Sequence, residues 1–302
     1  MIDQTGAEQT IEVIGIPIDL NQTKRGVDLG PGALRYAGLR SSLRQLGYNL
    51  IDRGNLPVPV RDELPDHLQS NPLPVTRDVC EAAYAAARAT VQANHLAVFL
   101  GGDHSIAIGT VGGLTHDEPI GMIYIDAHGD FNTPETSPSG NIHGMSVAAL
   151  IGRGYPELVN VGRNGPKLKA EDVVLLGIRQ LDRQEREELN ESGISIYTMR
   201  DIDEQGISTV AHEILDHLGH HRRLHVSFDV DVLDPNEAPG VGTSVPGGLT
   251  YREAQLLCEI IADNGRLKSV DLVEINPILD YRNQTARLAV ELTASLFGKS
   301  IL

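Results

Sequence analysis

Short apolar runs alternate with longer amphipathic stretches along the chain. The compact runs at 11–16, 96–100, 121–125, 173–176, 194–197, 224–228 and 270–273 predict strands. Between them, apolar positions at helical spacing predict helices over 31–46, 75–94, 105–114, 144–152, 182–191, 208–218, 251–264 and 283–297. Pro31 near the start of the first helix and Gly47 just past its end mark its limits. Five prolines (Pro57, Pro59, Pro65, Pro72 and Pro74) predict an irregular surface loop over 55–74. Strands that are apolar throughout, separated by helices, imply βαβ units and a sheet covered on both faces. The expected fold is α/β, a three-layer α/β/α sandwich around a mostly parallel sheet. No linker composition divides the chain, so residues 1–302 are read as one domain.

In such folds ligands lie beyond the carboxyl ends of the strands, and those positions carry an unusual inventory. Gly-Gly-Asp103-His104-Ser105 follows 96–100, and Asp126-Ala-His128-Gly-Asp130-Phe-Asn132 follows 121–125. Asp229-Val-Asp231 follows 224–228, and Glu274-Ile-Asn-Pro follows 270–273. In extended chain, residues two apart point the same way. Asp126, His128 and Asp130 should therefore converge, as should Asp229 and Asp231, and His104 can join them. Four close carboxylates cannot all stay ionised without a counter-charge, and one or two divalent cations would supply it. Carboxylates with two imidazoles and no thiolate suit Mn, Fe, Co or Zn in a hydrolytic centre.

Composition narrows the setting. The 302 residues carry 25 basic and 41 acidic side chains, a formal net charge of −16. That charge opposes binding to nucleic acid or to an anionic membrane and favours cationic ligands. Hydrophobic residues make up 41%, enough for a large core, but aromatics only 4%, so the core should be aliphatic. Cys80 and Cys258, the only cysteines, can form neither a disulfide framework nor a CxxC site; two buried free thiols fit a reducing cytoplasm. The polar start MIDQTGAEQT carries no signal-peptide pattern, and no apolar run approaches a membrane span.

Taken together, GGDHS at 101–105, DAHGDFN at 126–132, SGNIHG at 139–144, SFDVDVLDP at 227–235 and EINP at 274–277 resemble the arginase (ureohydrolase) family. The resemblance runs from GIPIDL at 15–20 to the last helix. The stretches 25–39, 132–144 and 240–253 have the character of its bacterial members. It implies an enzyme with two Mn(II) per subunit that hydrolyses L-arginine to L-ornithine and urea, through attack of a metal-bridging hydroxide on the guanidinium carbon. His104, Asp126, Asp130 and Asp229 would bind one Mn; His128, Asp126, Asp229 and Asp231 would bind the other. Asp130 would also position the hydroxide, Glu274 would pair with the guanidinium, and His143 would shuttle a proton. Asn132, Ser137 and Ser139 would hold the α-carboxylate, Asp182 the α-ammonium with Glu185 assisting through water, and Thr243 would lie near the guanidinium. Agmatine lacks that carboxylate, so the 132–139 loop argues for arginine. The alternatives are another ureohydrolase, a non-catalytic arginine-binding regulator, or a structural metal module. The resemblance also implies a homo-oligomer, a hexamer rather than a trimer. The chain departs from the family at Val232, where Gly is usual.

Other features invite blander readings. His217, His220 and His221 form HLGHH after a helix, with no carboxylate set expected to converge on them. Gly101-Gly102 lacks the pattern of a phosphate cradle and reads as close backbone approach. Asp103 is expected to orient His104 or to start a helix, and Cys80 and Cys258 to be core.

Overall fold

The computed structural model describes residues 9–300; most of the polar start lies outside them. Among the described residues eight strands form the sheet: β1 (Thr10–Ile16), β2 (Asn49–Asn55), β3 (Leu96–Gly101), β4 (Gly121–Ile125), β5 (Val173–Ile178), β6 (Ser195–Thr198), β7 (Leu224–Asp229) and β8 (Leu267–Val273). Their order is β2-β1-β3-β8-β7-β4-β5-β6, and every neighbouring pair is parallel.

The strands alternate between two cores. Ile123 and Ile125 of β4 join one apolar cluster, Met122 and Tyr124 the other. Helices Gly30–Tyr36, Leu39–Gln45, Ile207–His217, Tyr251–Asp263 and Gln284–Leu296 bury their apolar faces on the first side; Leu73–Gln92, Ile106–Leu114 and Ser146–Leu150 cover the second. This is the expected three-layer α/β/α architecture. Among the described residues no helix is long and apolar enough to cross a membrane.

The departures from expectation are local. The predicted 31–46 helix breaks at Gly38, whose φ of 95° leaves the helical region. Strand β2 escaped the apolar-run criterion because it is an edge strand, polar in sequence and largely exposed. The 55–74 segment is not wholly irregular, as it holds a short helix at Asp66–Ser70. The predicted 144–152 helix is a 3-10 turn, Ile142–Met145, followed by Ser146–Leu150. A helix at Met199–Gln205 was missed, although Thr198 and Asp201 form a capping box at its start.

Four adjacent strands, β3-β8-β7-β4, carry the polar segments singled out above at their carboxyl ends. Segments up to 170 residues apart in sequence are thereby brought together. Close approach at β3 depends on Gly102: a Cβ there would lie 1.9 Å from the Ile18 carbonyl oxygen, where the backbone cannot yield. Gly102 and Asp103 donate their amides to Ile16 and Ile18 instead.

Candidate metal and substrate site

The sequence-predicted acids and imidazoles meet above β3, β8, β7 and β4. His104 follows β3 and is fully buried. Its Nδ1 lies 3.0 Å from Asp126, 3.5 Å from Asp130 and 3.3 Å from Asp229. His128 Nδ1 lies 3.3 Å from Asp126 and 3.1 Å from Asp231. Asp126 thus offers Oδ2 to one imidazole and Oδ1 to the other, forming the shared wall of two ligand groups: His104, Asp126 and Asp130, and Asp126, His128 and Asp231.

Simple strand alternation does not produce this convergence. Asp229 ends β7, and Asp231 sits in a 3-10 turn, Val230–Val232, where its amide donates to Asp229 Oδ1 at 2.8 Å. Asp231 Oδ1 accepts from the Ala127 amide, tying the two loops together. Asp130 and Glu274 adopt positive φ, 47° and 64°, a conformation that costs a non-glycine residue energy and concentrates where side-chain direction matters. Val232 does not have positive φ; it is helical and buried, so the departure from Gly costs the turn nothing.

Donor chemistry fits divalent cations. Buried oxygens and both Nδ1 atoms face one another at 3.0–3.5 Å, the separation expected between ligands of an ion bound at about 2.0–2.2 Å. Burial disfavours charge on the imidazoles, yet the carboxylates outweigh it: His128 is pushed up to about 12, and His104 well above its ordinary value. Burial and the Asp126 charge push Asp130 up to about 7.

A hydrogen-bond chain fixes the His104 ring from behind. Asp271 accepts from the hydroxyls of Thr110 at 2.8 Å and Ser227 at 3.3 Å. With its proton committed there, Ser227 Oγ accepts from His104 Nε2 at 2.9 Å, which turns Nδ1 toward the acids. Fully buried His225 lies 3.2 Å from the same Asp271 oxygen. Asp271→Asn is therefore expected to weaken divalent-cation affinity about 10- to 100-fold. A metal titration checks this; unchanged affinity would show that Ser227 holds its orientation unaided.

These groups border a cavity of about 330 Å³, room for a small molecule. Every predicted site residue lines it except His104 and Asp126, which are buried. Glu274 accepts from the His104 amide at 2.9 Å and lies 3.0 Å from His143 Nδ1, both through Oε1. Burial raises the Glu274 pKa, but His143 and these donors reverse the shift and leave it below the usual range; burial is likewise overcome at His143, pushed up to about 9. Asn132 donates to Asp182 at 3.0 Å. Glu185 accepts from the amides of Phe131 and Asp182, so it clamps the 126–132 loop to the start of the Arg183–Glu191 helix. Ser137, Ser139 and Thr243 line the open side.

Sequence reading missed Gln22, which donates to Glu274 Oε2 at 2.9 Å, and Tyr124, whose hydroxyl donates to Asp130 Oδ2 at 2.6 Å. Gln22 follows β1, so the strand-end rule could have found it; Tyr124 lies inside an apolar run and gave no signal. Asp103 accepts from Asn21 and from the Ser105 amide, so it anchors the 21–22 loop and the helix start rather than the His104 ring. Cys80 and Cys258 are buried core residues whose thiols burial pushes up.

The chain is similar to known proteins in sequence and fold. The Arginase family model matches residues 9–298. An arginase from Bacillus caldovelox is 48% identical over 97% of this chain and 99% of its own, and one from Bacillus subtilis 46% over 98% and 100%. The native structure of the Bacillus caldovelox arginase at pH 5.6 superposes with a TM-score of 0.94, covering 97% of this chain and all of that one at 47% identity. The chain belongs to the arginase family and is a hydrolase of linear amidine C–N bonds.

Proposed function

We propose that the protein is a binuclear manganese arginase, converting L-arginine and water to L-ornithine and urea. The observation that carries this reading is the pairing, in one cavity, of an acid–imidazole cluster that shares Asp126 with a separate buried carboxylate, Glu274. His104, Asp126, Asp130 and Asp229 would hold one Mn(II), and His128, Asp126, Asp229 and Asp231 the other. Bound there, the ions would supply the positive charge that makes a water nucleophilic near neutral pH.

The chain's own residues would do the rest. Glu274, charged and held by Gln22, the His104 amide and His143, would receive the planar guanidinium as a carboxylate receives an arginine fork. Asp130, steadied by Tyr124, would accept a hydrogen bond from the attacking water and orient it. His143, protonated beside Glu274, would pass a proton to the departing amine. Asn132, Ser137 and Ser139 offer amide and hydroxyl donors for an α-carboxylate, Asp182 a carboxylate for an α-ammonium, and Glu185 a water-mediated assist to it. Thr243 would face the guanidinium end. Residues 1–302 would work as one catalytic domain, since Gln22 and Glu274 come from opposite ends of the sequence. A hexameric assembly is proposed, with exposed Tyr36, Ile278 and Tyr281 as apolar surface for it. The two buried thiols fit a reducing cytoplasm.

Urea release from arginine and agmatine, compared side by side with Mn-loaded protein, tests the reading. Arginine is expected to be the substrate. Preference for agmatine would overturn the role given to the 132–139 loop, and no urea from either would overturn the activity.

A pH dependence follows from the raised imidazoles. The proton on each Nδ1 must leave before that atom can coordinate, so Mn(II) affinity should rise with pH, by up to about tenfold per unit for each proton displaced. Calorimetric titration in buffers of different ionisation enthalpy should detect proton release; affinity independent of pH would contradict it.

A further inference from the structure

The HLGHH segment has company that its sequence did not reveal. Asp172, just before β5, lies beside His220 and His221, just before β7, and the donor atoms of all three fall within 4.8 Å of one another. We propose that Asp172, His220 and His221 form a separate site for a single divalent transition metal of the Zn(II) class, at the amino ends of β5 and β7. The proposed catalytic cavity lies beyond the carboxyl ends of the strands, so the two sites occupy opposite edges of the sheet.

Geometry carries the case. Asp172 Oδ1 is 2.9 Å from His221 Nε2 and 3.6 Å from His220 Nε2. Around Zn(II), with ligands at about 2.0–2.2 Å, tetrahedral donors lie about 3.4 Å apart, between those two separations. A plain hydrogen bond accounts for His221 and Asp172 but not for a second imidazole aimed at the same oxygen. The imidazole rings stand 4.0 Å apart and tilted by 43°, not stacked flat.

The groups are held in place and suited to a cation. Asp172 Oδ2 accepts from the Lys169 amide at 3.1 Å, which leaves Oδ1 directed at the imidazoles. The His221 carbonyl accepts from Arg266 at 3.0 Å. Asp172 and His221 are buried, whereas the His220 side chain is 54% exposed, so water can complete the coordination shell. Two imidazole nitrogens and one carboxylate oxygen suit Zn(II), Co(II) or Ni(II) better than Mg(II) or Ca(II). His217 is engaged elsewhere, 3.2 Å from the Glu171 carbonyl oxygen. A bound ion would tie the segment entering β5 to the turn entering β7.

The test uses full-length, Mn-loaded protein dialysed against Zn(II), with metal content per chain measured for wild type, His220→Ala and Asp172→Asn. Wild type should retain one more Zn(II) than either variant, with affinity at that site at least about 10²-fold higher. Its melting temperature should rise with Zn(II) while that of His220→Ala does not, and hydrolysis should be equal in wild type and His220→Ala. Equal zinc content and equal thermal response in wild type and His220→Ala would overturn the proposal. His220 is exposed, so that comparison stands even if Asp172→Asn fails to fold.

Discussion

Asp126→Asn is expected to lower hydrolysis by about 10³-fold or more, close to 4 kcal/mol of lost transition-state stabilisation, with loss of metal from both ligand groups at once. Asp126 stands between the two imidazoles, facing His104 at 3.0 Å and His128 at 3.3 Å. Asn keeps the shape and can still accept from the His128 amide through its oxygen, so circular dichroism should report an intact fold. Removing one of the clustered carboxylates also relieves repulsion among Asp126, Asp130, Asp229 and Asp231. A variant that keeps two metals per chain and wild-type turnover would refute the shared-ligand role.

Glu274→Gln is expected to lower kcat/KM by about 10²–10³-fold while leaving metal content unchanged. Glu274 is 2% exposed. Removing one partner of a buried charge pair typically costs about 3–5 kcal/mol, the size of effect expected if a guanidinium is received there. The amide can still accept from the His104 backbone, so the His104 ring should stay in place. The substitution also takes from His143 the neighbour that holds it protonated, and the His143 pKa should fall from about 9. The basic limb of the pH–rate profile should therefore move to lower pH. Loss of metal along with activity would mean that Glu274 acts through His104 and not on substrate.

Legibility divides along physical lines. Central strands were readable because burial on both faces demands continuous apolar sequence, as in β3, β4, β5 and β7. Edge strand β2 was unreadable for the same reason: with its faces and one edge in water, it needs no such run. The break at Gly38 and the missed Met199–Gln205 helix turn on single backbone positions, Gly38 and Gly206, whose positive φ the apolar pattern does not encode.

By itself the sequence determined the family, because five motifs stand in one order, and it singled out the acids and imidazoles just past apolar runs that the structure brings together. Tertiary structure decided how they meet. Strand order places β8 and β7 between β3 and β4, bringing Glu274 and Asp229 beside His104 and Asp126 although long chain segments separate them. It also supplied the partners that orient those groups, Gln22, Tyr124 and the Asp271–Ser227 pair, and it set Asp172 against His220 and His221. Such contacts join residues with no local periodicity in common; they arise only when the sheet's twist and crossovers bring its strand ends together.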